Sequence, residues 1–185
     1  MDSSKRNRFR TDLWKMDSMM SVDYYNEWFM RSAPDAYKTA RKGVVNHVKR
    51  TMTDFGYLSE ILGQNIVRHP DALSVLRACT APPLAKDRLA GLSGTTRTLI
   101  DTLEDGRLPS RISEGKLLND LSKMAAILSK LIDYDIFPWL GNNTTPSAQA
   151  VSRSASIVAD RISGSLADPI IRNSQESRQL AAIDS

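Results

Sequence analysis

One pattern in the sequence has the residue types that could hydrolyse a phosphodiester bond. Glu114 and Lys116 are separated by one residue, the acidic-x-lysine order of many metal-dependent nucleases, and Asp101 and Asp105 precede them. Carboxylates of this kind hold Mg²⁺, and a lysine polarises the attacking water or the phosphate. In such nucleases the pattern lies on a β-strand. Here it begins the strongest predicted helix, where Glu114 suits the positive helix end without any catalytic role.

A second chemical possibility is a basic helix face that binds phosphate groups. The net charge is +4, and the whole excess lies before residue 51. Helix periodicity places four cations on one side of a helix, about 120° from an apolar side. They are Lys38, Arg41, Lys42 and Lys49. A solvated face and a phosphate-binding face fit this pattern equally well, and we predict that the four cations contact DNA phosphates.

Composition excludes several other classes of protein. With 41% hydrophobic and 25% charged residues, the chain of 185 residues is typical of globular proteins. Its single cysteine, Cys79, and two histidines, His47 and His69, cannot build a disulfide or the usual zinc frameworks. No stretch approaches the ~20 apolar residues of a membrane span, and no apolar signal core follows the basic start. We expect a cytoplasmic protein with no membrane partner and no metal ligand set of its own.

Helices are the elements predicted to position these residues. Helix-forming residues are plentiful, and no segment shows the sustained alternation of a strand. The clearest helix covers about residues 114–132, where apolar residues repeat at steps of four and three. Its stripe consists of Leu117, Leu121, Met124, Leu128 and Leu131, widened by Leu118, Ala125 and Ile132. We predict an all-α, multi-helix bundle in which short helices surround this central long helix.

Two helices are predicted near the N-terminus. The first covers residues 21–32, and its aromatic face favours core packing over base stacking. That face consists of Tyr24, Tyr25, Trp28 and Phe29. Ser32 and Pro34 then favour a new helix start, and the second helix runs to about Thr53. Residues 1–20 are predicted to be a flexible basic segment.

Turn-forming residues predict the division into domains. A helical domain is expected over 21–140, a linker over 141–147 and a C-terminal helical pair over 148–185. The last helix begins at Asp168, and no glycine, asparagine or proline ends it. We therefore expect that the natural chain continues into a further, catalytic domain.

Three stretches of the chain carry a family resemblance. They are Ala81-Pro-Pro-Leu-Ala-Lys-Asp-Arg-Leu-Ala-Gly-Leu92, Leu103-Glu-Asp-Gly-Arg-Leu-Pro109 and, above all, the block from Ile157 to Leu180. Together they resemble the amino-terminal half of the XamI-type family of type II restriction endonucleases. The likeness covers most of residues 21–185.

This resemblance implies a function that composition and periodicity do not. It implies double-stranded DNA as the substrate, Mg²⁺-dependent phosphodiester hydrolysis and a DNA methyltransferase that protects host sites. It also implies that a sheet with the metal-binding carboxylates lies downstream and is absent from this chain. None of the three stretches is a catalytic motif, so no catalytic residue is transferred, and a homodimer is left open.

The sequence is compatible with three functions. In the first, the chain is the helical part of a restriction endonuclease and is inactive alone. In the second it is a free-standing helical module that binds nucleic acid or protein, and in the third it is a complete small enzyme that uses Glu114 and Lys116. The basic face on residues 35–53 serves the first two equally. The unfinished last helix favours the first.

Overall fold

The computed structural model describes the backbone of residues 3–163. Side chains are described from residue 37 onwards and, before it, at positions 23, 26, 27, 29–31 and 33–35. The chain divides into two compact units, which we call the first unit (Met1–Ala40 with Ala167–Ser185) and the second unit (Arg41–Leu166). The helix predicted from Asp168 onwards lies outside the described residues.

Helices form nearly all of the regular structure between residues 3 and 163. In chain order they are α1 (Ser3–Asp54), a 3₁₀ turn (Gly56–Leu58), α2 (Gly63–Arg68), a second 3₁₀ turn (Pro70–Ala72), α3 (Leu73–Ala78), α4 (Lys86–Ser93), α5 (Arg97–Glu104), α6 (Glu114–Leu131) and α7 (Pro138–Asn142). Residues 148–163 are also helical, and we call them α8. Over the described range there is no β-strand, only an isolated antiparallel bridge between Thr80 and Ile132. The predicted all-α fold is therefore confirmed.

One helix, α1, replaces the two helices predicted near the N-terminus. It continues through Pro34, because a proline removes one backbone hydrogen bond without preventing helix formation on either side of it. An ion pair between Arg31 and Glu27 at 2.6 Å supports the turn before this proline. The helix includes residues 3–20, whose predicted flexibility stays a prediction.

One side chain of the aromatic face predicted within residues 21–32, that of Phe29, lies among the described residues. Phe29 is 42% exposed, so it is not part of a fully buried core. The side chains of Tyr24, Tyr25 and Trp28 lie outside the described residues.

The core of the second unit is built around α6. Leu117, Leu121, Met124 and Leu128 are buried, and Leu131 packs against them while partly exposed. The predicted central helix is therefore confirmed. Leu118 was expected to widen the apolar stripe, but it is 44% exposed because it lies beyond the edge of the buried side.

A close approach of α2 to α6 depends on a glycine. A Cβ atom on Gly63 would lie 2.6 Å from the Oγ atom of Ser122 and 2.8 Å from its backbone nitrogen. No real side chain tolerates such distances, so the two helices pack here at a separation that only glycine permits.

The part of α1 that belongs to the second unit packs on this core. Val48 and Thr51 are buried and Val44 is partly buried, at the spacing of one side of a helix. Met52 in the same helix and Phe55, just after its end, are also fully buried.

The helix α8 belongs to the same compact unit as residues 41–140. Ala155 and Val158 are buried in the common core, and the Ser154 hydroxyl donates a hydrogen bond to the Ile136 carbonyl at 2.7 Å. The linker predicted over 141–147 lies within this unit, together with the described segments on either side of it. The apolar side of α8 is buried against the rest of the unit, and the predicted division into domains stays a prediction.

A glycine and a threonine form the boundary between α4 and α5. Gly94 ends α4 with a left-handed backbone, φ 66°. The Thr96 hydroxyl caps α5 by accepting a hydrogen bond from the Leu99 N–H at 3.2 Å.

Within the described residues, none of the helices has both the length and the apolar character needed to span a membrane.

Candidate nucleic-acid interface

Asp101, a candidate metal ligand on the sequence, is part of an ion-pair network between α4 and α5. The Lys86 ammonium lies 2.6 Å from the Asp101 carboxylate and 3.0 Å from Glu104. The Arg77 guanidinium lies 2.6 Å from Glu104, and Arg97 pairs with Asp87 at 2.9 Å and lies 3.7 Å from Asp101. We call these six residues the α4–α5 network.

The network changes the acidity of its members. The hydrogen bond from Lys86 lowers the pKa of the Asp101 carboxyl. The hydrogen bonds to Asp101 and Glu104 raise the pKa of Lys86. Both pKa shifts arise because the ion pair stabilises the charged form of each partner. This is expected of an ion pair that holds two helices together.

The other nuclease candidates lie in different settings. Asp105 pairs with Arg107 at 2.7 Å, just after the end of α5. Glu114 and Lys116 lie in the first turn of α6 and are both exposed. Among the described residues, no group of three or more His, Cys, Asp and Glu side chains could hold a metal ion. The nuclease candidates in the described part of the chain therefore do not converge on a site that fits the Mg²⁺ implied by the resemblance.

The predicted phosphate contacts fall into three groups. Lys38 lies in the first unit, 3.6 Å from Asp35, and both side chains are largely exposed. Arg41 lies in the second unit, and its Nε atom is 2.8 Å from the Asp160 carboxylate. Lys42 is exposed, Lys49 is partly exposed, and neither has an ion-pair partner among the described residues. Lys42 and Lys49 are the members of the face whose charge is available to a partner.

Arg50 is close to this face in sequence but is engaged elsewhere. It donates hydrogen bonds to the Asp71 carboxylate and to Nδ1 of His47, both at 2.8 Å. His47 Nδ1 is therefore an acceptor, which assigns its ring hydrogen to Nε2, 3.3 Å from the Asp71 carbonyl. These bonds hold the end of α1 against the second 3₁₀ turn, a role that helix periodicity alone does not reveal.

Cys79 and Arg161 have structural roles. The Cys79 thiol is fully buried, and burial raises its pKa, so it is inert. Arg161 donates hydrogen bonds to the carbonyls of Ala78 and Thr80 at 3.0 and 3.2 Å, and to Asp133 at 2.8 Å. It thereby connects α8 to the ends of α3 and α6.

Comparison with known proteins defines the class to which this helical chain belongs. The sequence pattern of the XamI restriction endonucleases matches residues 56–185, more than half of the chain. The chain therefore belongs to the XamI restriction endonuclease family.

A characterised relative agrees with this assignment. The type II restriction enzyme SalI of Streptomyces albus G is 40% identical over 171 residues, which are 92% of this chain and 54% of that enzyme. The chain thus spans about half the length of the curated relative it matches. No solved structure matches the chain.

Proposed function

We propose that this chain is part of a type II site-specific restriction endonuclease and that its second unit contacts the backbone of duplex DNA. Family membership supports the first statement. The observation that carries the second is that Lys42 and Lys49 on α1 have no ion-pair partner among the described residues. As part of such an enzyme, the chain would act in the cytoplasm beside a protecting DNA methyltransferase, and Mg²⁺ would be held by residues outside the described part.

The spacing of the two lysines suits a DNA strand. They are seven residues apart on one side of a helix, which corresponds to about 10.5 Å along the axis at 1.5 Å per residue. Successive phosphates on one strand advance by about 3.4 Å along the duplex axis. The two ammonium groups are therefore close enough together to contact phosphates of the same strand at the same time.

Arg41 contributes less to the proposed interface than the sequence predicts. Its ion pair with Asp160 already compensates its charge, so a phosphate would have to compete with that carboxylate. Lys38 stays a separate predicted contact of the first unit.

The proposal is tested by the salt dependence of binding to a duplex of mixed sequence, measured in EDTA so that no cleavage occurs. Each neutralised phosphate contributes about 0.9 to the slope of log K against log salt. Replacing both lysines, Lys42→Gln with Lys49→Gln, should therefore reduce the magnitude of this slope by about 1.8.

A matched control removes the same charge from another surface. Lys116 and Lys130 on α6 are exposed and have no ion-pair partner among the described residues. The pair Lys116→Gln with Lys130→Gln should leave the slope within about 0.5 of the wild-type value if contacts are confined to α1. An unchanged slope in the α1 variant, or an equal loss in both variants, would contradict the proposed interface.

A further inference from the structure

An uncharged cleft lies in the second unit beside the end of α1. Its volume is about 510 Å³. Its walls include Tyr57, Ser59, Tyr134, Asn143, Thr144 and Thr145. None of the residues that line it is a lysine, arginine, histidine, aspartate or glutamate. We call it the tyrosine cleft.

Strained backbone is concentrated at this cleft. Within the described residues, the non-glycine residues with positive φ are Tyr57 (55°), Leu58 (73°) and Asn143 (50°), and all three line the cleft. Left-handed backbone is unfavourable for side chains such as Tyr and Leu, and it persists where surrounding contacts enforce it, commonly at ligand sites. The contact here is the indole N–H of buried Trp139, which donates to the Tyr57 carbonyl at 2.9 Å.

The cleft also holds polar groups that are available to a ligand. The phenol groups of Tyr57 and Tyr134, the Asn143 amide and the Thr144 hydroxyl have no hydrogen-bond partner among the described residues. Tyr134 is 53% exposed, and its Cδ1 atom lies 3.6 Å from the position of a Cβ on Gly141. The ring therefore rests on the chain at Gly141 while much of its surface stays open for stacking.

These features select the chemical class of the ligand. Without a cation or a carboxylate in its wall, the cleft offers no ionic partner to a phosphate or a metal ion. An aromatic ring stacks on any planar heterocycle, whichever base it is. An amide both donates and accepts hydrogen bonds at the edge of a base. We propose that the tyrosine cleft binds an unpaired nucleobase, stacked on Tyr134 and hydrogen-bonded by Asn143. The choice of a nucleobase among uncharged heterocycles rests on the proposed function.

The test uses the fluorescent nucleoside 2-aminopurine riboside, which has no phosphate, with the full chain. Stacking on Tyr134 should quench its fluorescence in a saturable manner. Tyr134→Ala should weaken binding about tenfold or more, whereas Tyr134→Phe keeps the ring and should change it less than about twofold. Asn143→Gly removes the amide but keeps a residue that adopts positive φ, and should weaken binding about fivefold.

Leu108→Ala is the matched control, because Leu108 is 45% exposed and does not line the cleft. This variant should bind the nucleoside as the wild type does. Thermal unfolding of each variant establishes that it is folded, and Asn143→Gly gives a second result that does not depend on the folding of Tyr134→Ala. Absence of saturable quenching with the wild type would overturn the proposal. So would folded Tyr134→Ala and Asn143→Gly variants that bind the nucleoside as tightly as the wild type does.

Salt separates this inference from the proposed phosphate contacts. An uncharged nucleoside releases no counterions, so its binding should be the same at low and high salt, whereas duplex binding through Lys42 and Lys49 should weaken steeply. Salt-independent nucleoside binding without salt-dependent duplex binding would count against the α1 interface alone. The reverse result would count against the tyrosine cleft alone.

Discussion

Two charged regions of the second unit are arranged in opposite ways. In the α4–α5 network, the Glu104 carboxylate lies within 3.0 Å of both Arg77 and Lys86, and its side chain is only 11% exposed. On α1, Lys42 and Lys49 have no ion-pair partner among the described residues. Both regions contain basic side chains. They differ in whether neighbouring helices place carboxylates within ion-pair distance of those side chains.

This difference separates charges that hold the fold from charges that can meet a partner. Arg77 on α3, Lys86 on α4 and Glu104 on α5 join three short helices, and a DNA phosphate would have to displace carboxylates to reach these cations. Among the residues that the structure describes, no carboxylate pairs with Lys42 or Lys49 on α1. Asp101 belongs with the first group, so its position in the sequence near Glu114 does not make it a member of a metal site.

The largest expected effect is the loss of unfolding free energy when a residue is truncated in the core that supports both charged regions. Leu121 is fully buried in α6, and Leu121→Ala should lower the free energy of unfolding by ~2 to 5 kcal/mol. Denaturant titration measures this loss. The control Leu118→Ala, at a 44% exposed position on the same helix, should cost less than about 0.5 kcal/mol. Equal losses at the two positions would contradict the packing described for α6.

The next effect tests whether the α4–α5 network is structural. Glu104→Gln keeps the shape of the side chain but removes the charge that compensates Arg77 and Lys86. We expect a loss of about 1.5 to 3 kcal/mol in unfolding free energy, with unchanged binding to DNA. Asp87→Asn is the exposed control, since its side chain is 71% exposed, and should cost less than about 1 kcal/mol. A Glu104→Gln variant of full stability that binds DNA poorly would reverse the comparison between the two regions.

A smaller effect is expected in the pH dependence of stability. The pKa of Asp101 is lowered in the folded protein from its ordinary 3.8, so its contribution is present above pH 3.8 and is lost as the pH falls through the folded value. The pKa of Lys86 is raised from 10.5, so its contribution is present below pH 10.5 and is lost as the pH rises through the folded value.

Unfolding free energies measured across pH test both statements. Asp101→Asn should flatten the fall in stability on the acid side of pH 3.8. Lys86→Gln should flatten the fall on the alkaline side of pH 10.5. Profiles parallel to the wild type on both sides would show that the pair contributes nothing to the folded state.

Features that depend on near neighbours in the chain are predictable from the sequence. The leucine repeat of α6, the glycine that ends α4 and the threonine that caps α5 all follow from local periodicity and backbone preference. The apolar side of α1 follows in the same way around Val48. Even here a local rule fails at Pro34, because a helix that is stable on both sides tolerates one missing hydrogen bond.

Features that join distant segments are not predictable in this way. Arg41 meets Asp160 across 119 positions, and the Trp139 indole meets the Tyr57 carbonyl across 82. The first contact decides how much of the basic face is available, and the second supports the strained wall of the tyrosine cleft. The segment around Asn143 is predicted only as a linker, since its turn-forming residues have no signal that they line a cavity.

The smallest expected effect belongs to Glu114, whose replacement should change no nuclease activity. Phosphodiester hydrolysis requires carboxylates that converge on a metal ion and a positioned water. Glu114 is exposed at the start of α6, Asp101 is held by Lys86, and neither belongs to a metal-binding group of described residues. When purified protein is incubated with Mg²⁺ and a plasmid of mixed sequence, wild type and Glu114→Ala should give the same products. Discrete fragments that the wild type forms and Glu114→Ala does not would instead favour a small enzyme that uses Glu114 and Lys116. Glu114 would then belong with the charged residues that act on DNA and not with those that stabilise the fold.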